Sequence, residues 1–256
     1  MKSSNAENSA ITIQEQIANY NAELLRLRQA LDLAFPREAR ISAPERAIFP
    51  LGAACRDLFE EVIFAVSGGF GQLAFRSVRT MYECVVFARY LSLHPEKTAD
   101  YLANFYSEWA MVARNIPDAD KGMPEVHQAI SGQVPQYATG KRLDLKWSDE
   151  TTPQMAEGMN IPSSFHAFAF DYASMYVHPS AEFLLRHISE VQPGGVMRIA
   201  AKSQDHEARF ALRISHALIL NVLGLRLEYA LSSALGECLE ECKRDFFKVW
   251  GYQPPI

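Results

Sequence analysis

Apolar residues recur every three or four positions along most of this chain, and no strict apolar–polar alternation persists over the length of a strand. Ile13, Ile17, Tyr20, Leu24, Leu27 and Leu31 share one face of a helix predicted over 11–35, which Pro36 ends. Residues 43–50 hold two prolines and read as a linker before a helix over 51–66. Ser67-Gly68-Gly69-Phe70-Gly71 then breaks the periodicity. No strand precedes these glycines and no G-K-[ST] follows them, so they read as a helix–helix turn and not as a phosphate loop. A third helix over 72–93 stops at His94-Pro95, and a fourth over 96–115 stops before Pro117. Prolines and glycines crowd the region 117–162, which reads as a less regular insert carrying short helices near 124–137 and 152–158. A helix over 163–190, kinked or restarted at Pro179, leads to a turn at Gln192-Pro193-Gly194-Gly195. A long helix over 205–250 closes the chain, with a bend expected near Gly224 or Gly236. The pattern predicts an all-α, single-domain helical bundle over 1–256, with its core at about 51–250 and an N-terminal helix laid against it.

The third helix carries the most informative polar pattern. At about 100° per residue, Arg76, Arg79, Glu83 and Tyr90 fall in one stripe about 60° wide. The other faces hold Phe75, Val78, Met81, Tyr82, Val85, Val86 and Leu91. A helix apolar on most sides is a central one, and charges on it need partners, because an isolated buried charge costs several kcal/mol, on the order of a whole stabilising contact or more. Arg79 and Glu83 are spaced to pair directly. Two readings follow: a buried polar network that fixes helix register, or a site floor whose guanidinium groups face an anion or a carbonyl.

The second pattern is Asp171-Tyr172-Ala173-Ser174-Met175-Tyr176-Val177-His178-Pro179-Ser180. Tyr172 and Tyr176 share one helical face, while Asp171, Ser174 and His178 share another. A hydrolase triad needs its serine on a sharp turn beside oxyanion donors, and a mid-helix serine instead bonds its own backbone. His178 stands immediately before a proline, at an expected helix break where it either projects into a site or caps the turn.

Nearly half of the residues are apolar, enough for a large core, and the net charge is −5. That balance exerts no global pull on nucleic acid or anionic membrane, though it leaves room for a local basic patch. The polar N-terminus runs into no signal core, and no stretch approaches the roughly 18–20 apolar residues of a membrane span, so the expected location is the cytoplasm. Cys55, Cys84, Cys238 and Cys242 form no C-x-x-C pair and read as reduced helix cysteines. No metal or cofactor signature is present: H-E-x-x-H, a Walker loop and a dinucleotide fingerprint are all missing. The first and last helices offer more apolar stripe than one core needs, which predicts a homodimer.

The segment Arg76–Glu83, the stretch Trp147…Met155-Ala156-Glu157 and Tyr172-x-x-x-Tyr176-x-His178-Pro179-Ser180 occur in an order that resembles a bacterial helical family catalogued only as a domain of unknown function. The resemblance covers about 51–187 and implies an all-helical fold without an assigned activity. A looser similarity is to the HEPN helical superfamily, in which R-x(4–6)-H on a helix marks many ribonucleases. Arg209-x6-His216 and Arg89-x4-His94 match that spacing, a pattern that arises easily by chance. HEPN nucleases usually carry a polar residue after the arginine, whereas Phe210 and Tyr90 stand here.

Three functional classes follow. The first is a non-catalytic binding or regulatory module with an unidentified partner. The second is a metal-independent ribonuclease or defence component built on Arg209 and His216, which requires His216 exposed in a basic cleft. The third is a small-molecule enzyme with Arg79, Glu83 and His178 around one pocket, beside Arg76, Tyr172 and Tyr176.

Overall fold

Helix α3 (Gly71–Leu93) forms the axis of the molecule, as its all-round apolar surface requires. Ala74, Phe75, Val78, Met81, Tyr82, Val85, Val86 and Leu91 are buried along it. The computed structural model describes residues 20–42, 45–104, 147–178, 188–192, 195–199, 205–230 and 232–254. Within them, α3 is preceded by α1 (Asn21–Ala34) and α2 (Glu45–Ser67), and followed by a 3-10 turn (Pro95–Lys97). Next come α4 (Thr152–Gly158) and a rod, α5, made of Ser163–His166, a π-helical stretch Ala167–Tyr172 and Ala173–Val177. A hairpin of β1 (Ile188–Gln192) and β2 (Val196–Ile199) leads to α6 (Asp205–Ala230) and α7 (Ser233–Trp250).

Helices α2, α3 and α6 pack mutually, α5 lies against α3, and α1 packs on α7. Leu24, Leu27 and Leu31 of α1 and Leu235, Leu239 and Phe246 of α7 are all buried. The apolar stripes from which a homodimer was expected are therefore largely covered within one chain. Their outer remnants, Leu25, Leu33 and Phe247, stay exposed. Ion pairs clip the same seam: Arg26 Nε donates to Asp245 at 2.6 Å, and Lys248 Nζ to Glu23 at 2.6 Å. Glu23 is buried, a desolvation that alone would raise its carboxyl pKa, but the Lys248 ammonium outweighs it and holds the pKa below the ordinary value.

The all-α class holds, with a two-stranded antiparallel hairpin added. The helix predicted over 163–190 is interrupted at His178, where a break was expected, and its last three residues, 188–190, belong to a strand; 179–187 lie outside the described residues. His178 adopts φ −108° and ψ 142°, the extended conformation that a following proline imposes. The chain then pairs residues 188–192 with 196–199, and Gly195 takes φ +81° just before the second strand. These strands are too short for their alternation to compete with the surrounding helical periodicity.

Helix α2 starts at Glu45, six residues before the predicted boundary, and carries Pro50 inside it. The Ser42 amide and hydroxyl both donate to the Glu45 carboxylate, at 2.8 and 2.6 Å, which secures this early start. The predicted 205–250 helix is two helices. The first ends at Ala230 and the second starts at Ser233, where the Ser232 hydroxyl accepts the Leu235 amide as an N-cap, so the division is not at Gly224 or Gly236. The predicted helix near 152–158 is α4, begun by reciprocal Thr151–Gln154 bonds. The parts of the N-terminal helix before 20, of the 96–115 helix after 104, and the helix near 124–137 lie outside the described residues.

Gly69 (φ +76°) turns α2 into α3, and the Phe70 amide closes the turn on the Ala65 carbonyl at 2.8 Å. Gly71 answers a different need. A Cβ there would stand 2.6 Å from the Ala208 amide nitrogen, so α3 and α6 meet backbone to backbone. Helix α6 is long and apolar enough to satisfy a membrane-span test by composition, at mean hydropathy 1.4 over its best window, but 78% of that window is buried inside the fold.

Candidate functional site

The predicted polar stripe is brought against α5, where its charges are used in helix–helix contacts. Arg76 Nε donates to the Tyr176 carbonyl at 2.9 Å, near the end of α5. Arg79 Nε donates to Ser174 Oγ at 2.8 Å, and the Ser174 hydroxyl in turn donates to the Phe170 carbonyl at 2.6 Å. The same guanidinium lies 3.6 Å from the centre of the Phe170 ring and pairs with Glu83 at 2.5 Å. Ser174 thus bonds within its own helix, as expected of a mid-helix serine. Beside this cluster, the Tyr82 hydroxyl and His166 Nδ1 are 2.7 Å apart, a bond the sequence analysis did not identify. Burial, reinforced by Asp171, raises the Tyr82 phenol pKa well above its ordinary value, so the hydroxyl stays protonated and neutral.

Tyr172 and Tyr176 also join a network, but on the α6 side of α5. The Tyr176 hydroxyl is 2.9 Å from both Tyr172 Oη and Glu207 Oε1. Its single hydrogen goes to the carboxylate, an acceptor only, so Tyr172 donates to Tyr176. The Tyr176 ring stacks on Phe75 at 5.1 Å and 12°. His178 stands apart from both networks, exposed beyond the last turn of α5. The structure therefore does not gather Arg79, Glu83 and His178 around one pocket.

His216 is corrected in the same way. It is 1% exposed, in the core between α1, α6 and α7. Its Nδ1 is 2.7 Å from the Tyr20 hydroxyl and 3.2 Å from the indole Nε1 of Trp250. An indole only donates, so Nδ1 is the acceptor and the hydrogen of the neutral ring sits on Nε2. Burial pushes the pKa of His216 down to about 3, so it neither charges nor exchanges protons near neutrality. The exposure that the ribonuclease reading requires of it is not met. In the other R-x(4–6)-H match, the His94 ring packs against Tyr90 at 4.5 Å.

What His216 does support is a pocket. Its hydrogen bond holds the indole of Trp250 at the wall of a cavity of about 360 Å³, which His206, Arg209, Phe210, Arg213 and Trp250 line. A second cavity of about 210 Å³ adjoins it, lined by Ser164, Phe165, Phe168, Phe210, Arg213, Ile214 and Tyr252. Phe210 and Arg213 belong to both. Local sequence builds this corner. Arg209 and Arg213 are one turn apart on α6 and so share a face. Gly251 caps α7 in the left-handed conformation (φ +76°) and turns the chain back, so that Tyr252 reaches the Phe246 ring at 5.5 Å. The Arg213 guanidinium lies 4.6 Å from the Phe210 ring centre and 5.5 Å from that of Tyr252.

Among the described residues, neither Arg209 nor Arg213 has a carboxylate partner, whereas Arg26, Arg28, Arg56, Arg79 and Arg226 each do. The nearest described carboxylate on α6, Glu207, is turned inward to Tyr176. Of the lining residues, Arg209 alone stood out as a candidate in the sequence. The available signal was Arg213, which has no acidic residue three or four positions away on either side. The aromatic walls come from α5 and the chain end, which no local pattern connects to α6.

Among the described residues, no group of three or more His, Cys, Asp or Glu side chains is arranged to hold a metal ion, and the four cysteines are free thiols. No curated protein and no solved structure matches the chain. The profile of a family of unknown function (DUF5677) matches residues 45–195, from the start of α2 through β1 and over more than half of the chain, so the chain belongs to that family.

Proposed function

We propose that this protein is a non-catalytic helical binding module that receives an anionic ligand at the corner of α5, α6 and the end of α7. One observation carries the reading. Arg209 and Arg213 open into an aromatic-walled cavity without a carboxylate partner among the described residues, in a chain whose net charge is negative. Two neighbouring cations repel each other, and an anionic ligand removes that cost while meeting donors already in place. Concave sites with apolar walls and a few convergent polar groups are the usual form of ligand pockets.

Neither catalytic alternative keeps its full set of polar groups together, although Arg209 of the ribonuclease reading lines the pocket. Arg76 and Arg79 bond to α5, His178 stands away from them, and His216 is buried and neutral. The Arg209 side of the pocket lies outside the stretch that matches the family, while Ser164, Phe165 and Phe168 lie within it. Anion binding is therefore proposed for this chain and not for the family as a whole.

The test is thermal unfolding in inorganic pyrophosphate. A ligand at a hundred times its Kd stabilises by about 2.7 kcal/mol, a readily measured rise in Tm. The rise is expected for the native chain and absent from the Arg209→Gln/Arg213→Gln double variant. A rise of equal size in both proteins, or none in either, rejects the reading.

A further inference from the structure

The two cavities differ in character, and that difference narrows the ligand. The first is cationic, with Arg209, Arg213 and His206 on one side. The second is walled by the rings of Phe165, Phe168, Phe210 and Tyr252, with Ile214 and the single hydroxyl of Ser164 between them. Phe168 is 46% exposed and Tyr252 37%, so both present ring surface to a ligand without first being uncovered. Arg213 stands at the junction. Its guanidinium carbon lies 4.6 Å from the Phe210 ring centre and 5.5 Å from that of Tyr252, and a guanidinium attracted to aromatic rings still carries a fork of N–H donors to offer an anion. A ligand filling both lobes carries an anionic oxygen cluster at one end and a planar ring at the other, joined by a short polar spacer.

Resting on the anion-binding reading above, we propose that the corner is a nucleoside phosphate site: the phosphate on Arg209 and Arg213, the base among Phe168, Phe210 and Tyr252. Phosphate oxygens match the paired donors of arginine, and a base offers a face to aromatic side chains whatever its edge pattern. An inorganic anion leaves the aromatic lobe empty. The exposed rings of Phe168 and Tyr252 are then apolar surface without a purpose. The base could arrive on a free mononucleotide or at the phosphorylated end of a strand, which offer the same chemistry.

Isothermal titration of the full chain separates these outcomes. The probes are adenosine 5′-monophosphate, ribose 5-phosphate, adenosine, and a short 5′-phosphorylated oligoadenylate. Adenosine monophosphate is expected to bind about tenfold more tightly than either fragment, since each extra 1.4 kcal/mol is tenfold in Kd. Arg213→Gln should weaken adenosine monophosphate about tenfold, and Arg213→Lys nearly as much, because lysine keeps the charge without the fork. Phe168→Ala, at an exposed position, should weaken adenosine monophosphate and leave ribose 5-phosphate unchanged. Tighter binding of the oligonucleotide than of the mononucleotide, with the same variant pattern, supports the site and identifies a strand end as the source. Equal affinity for adenosine monophosphate and ribose 5-phosphate overturns the base lobe while the anion reading stands. No binding by any phosphate probe, with circular dichroism confirming that the chain is folded, overturns both.

Discussion

The indole of Trp250 donates to Nδ1 of His216 across 3.2 Å, so a residue with the spacing of a ribonuclease histidine is the anchor of a pocket wall. The same nitrogen accepts from Tyr20, the residue that begins α1 as its N-cap. Three helices, α1, α6 and α7, thus meet at one neutral imidazole. Replacing it with leucine strands a buried tyrosine hydroxyl and an indole N–H. His216→Leu is expected to cost about 1–3 kcal/mol in urea unfolding at pH 7. A change below a few tenths of a kcal/mol would show that neither bond matters to the fold.

The same histidine makes stability depend on pH. In the unfolded chain it titrates near 6.5, whereas in the fold burial keeps it neutral to about 3. Between those values the unfolded chain binds the additional proton. Stability therefore falls as the pH drops from 6.5, by up to about 1.4 kcal/mol per unit. Glu23 and Glu45, whose carboxyl pKa values are lowered in the fold, add their own loss only at and below the ordinary carboxylate range. The window from pH 6.5 to 5 separates the His216 loss from that of these two carboxylates. Urea midpoints there should decline in the native chain and stay nearly flat in His216→Leu. A flat native profile would contradict the buried, neutral assignment.

The helices were legible in the sequence because each buries a stripe of period 3.6, and α3 was legible as the central one because its apolar residues surround it. Boundaries failed where a local side-chain bond decides them: Ser42 with Glu45 at the start of α2, and Ser232 at the break before α7. The hairpin failed because nine strand residues in two short runs leave too little alternation to see. The Arg76–Glu83 stripe and its Arg79–Glu83 pair could be read because both lie on α3, whereas Ser174, Phe170 and the Tyr176 carbonyl meet it only through the packing of α5. The corner pocket could not. Its two arginines are neighbours on α6, but Phe168 and Trp250 reach them only through the packing of α5 and α7.

Gly71 illustrates a demand that sequence alone presents only as a turn signal. A methyl group there meets the Ala208 nitrogen at 2.6 Å, and the Ala208 Cα and the Glu207 carbonyl carbon at 3.0 Å. All three are backbone atoms, which cannot swing aside as a side chain would. Gly71→Ala is expected to destabilise by about 1–3 kcal/mol, as overpacking does, despite alanine's better helix propensity. A stabilised Gly71→Ala variant would mean that α6 shifts freely against α3.

Arg226 and Glu45 pair near the junction of α1, α2 and α6, with 11% and 9% of their side chains exposed. Arg226 Nε also donates to the Ala34 carbonyl at 2.9 Å, closing the end of α1. Arg226→Met should cost about 3–5 kcal/mol, because it leaves a buried carboxylate without its cation. The Glu45→Gln/Arg226→Met double variant should recover much of that loss, since it removes the stranded charge. Denaturant midpoints for the two singles and the double complete the cycle. Additive losses would show that the two residues act independently.

The stripe on α3 yields a ranked prediction. Arg79 is held four ways: the Ser174 hydroxyl, the Phe170 ring face, the Glu83 carboxylate and its own buried stem, with 18% of the side chain exposed. Glu83 has a third of its side chain in solvent and contributes one of those four contacts. Water already screens that pair, which places it nearer to surface ion pairs of about 0–1 kcal/mol than to buried ones. Glu83→Ala is thus expected to cost about 1 kcal/mol or less. Removing the guanidinium has a different consequence. It takes a donor from Ser174, opens the face of Phe170 and leaves a void between α3 and the π-helical stretch of α5. Arg79→Ala should therefore cost about 2–4 kcal/mol, from lost packing as well as lost hydrogen bonding. Arg79→Met fills the void without the charge and should fall between them. Urea unfolding of the three variants at one pH gives the order directly. Should Glu83→Ala prove as damaging as Arg79→Ala, the ion pair, and not the packing of the guanidinium on α5, would be what joins the two helices.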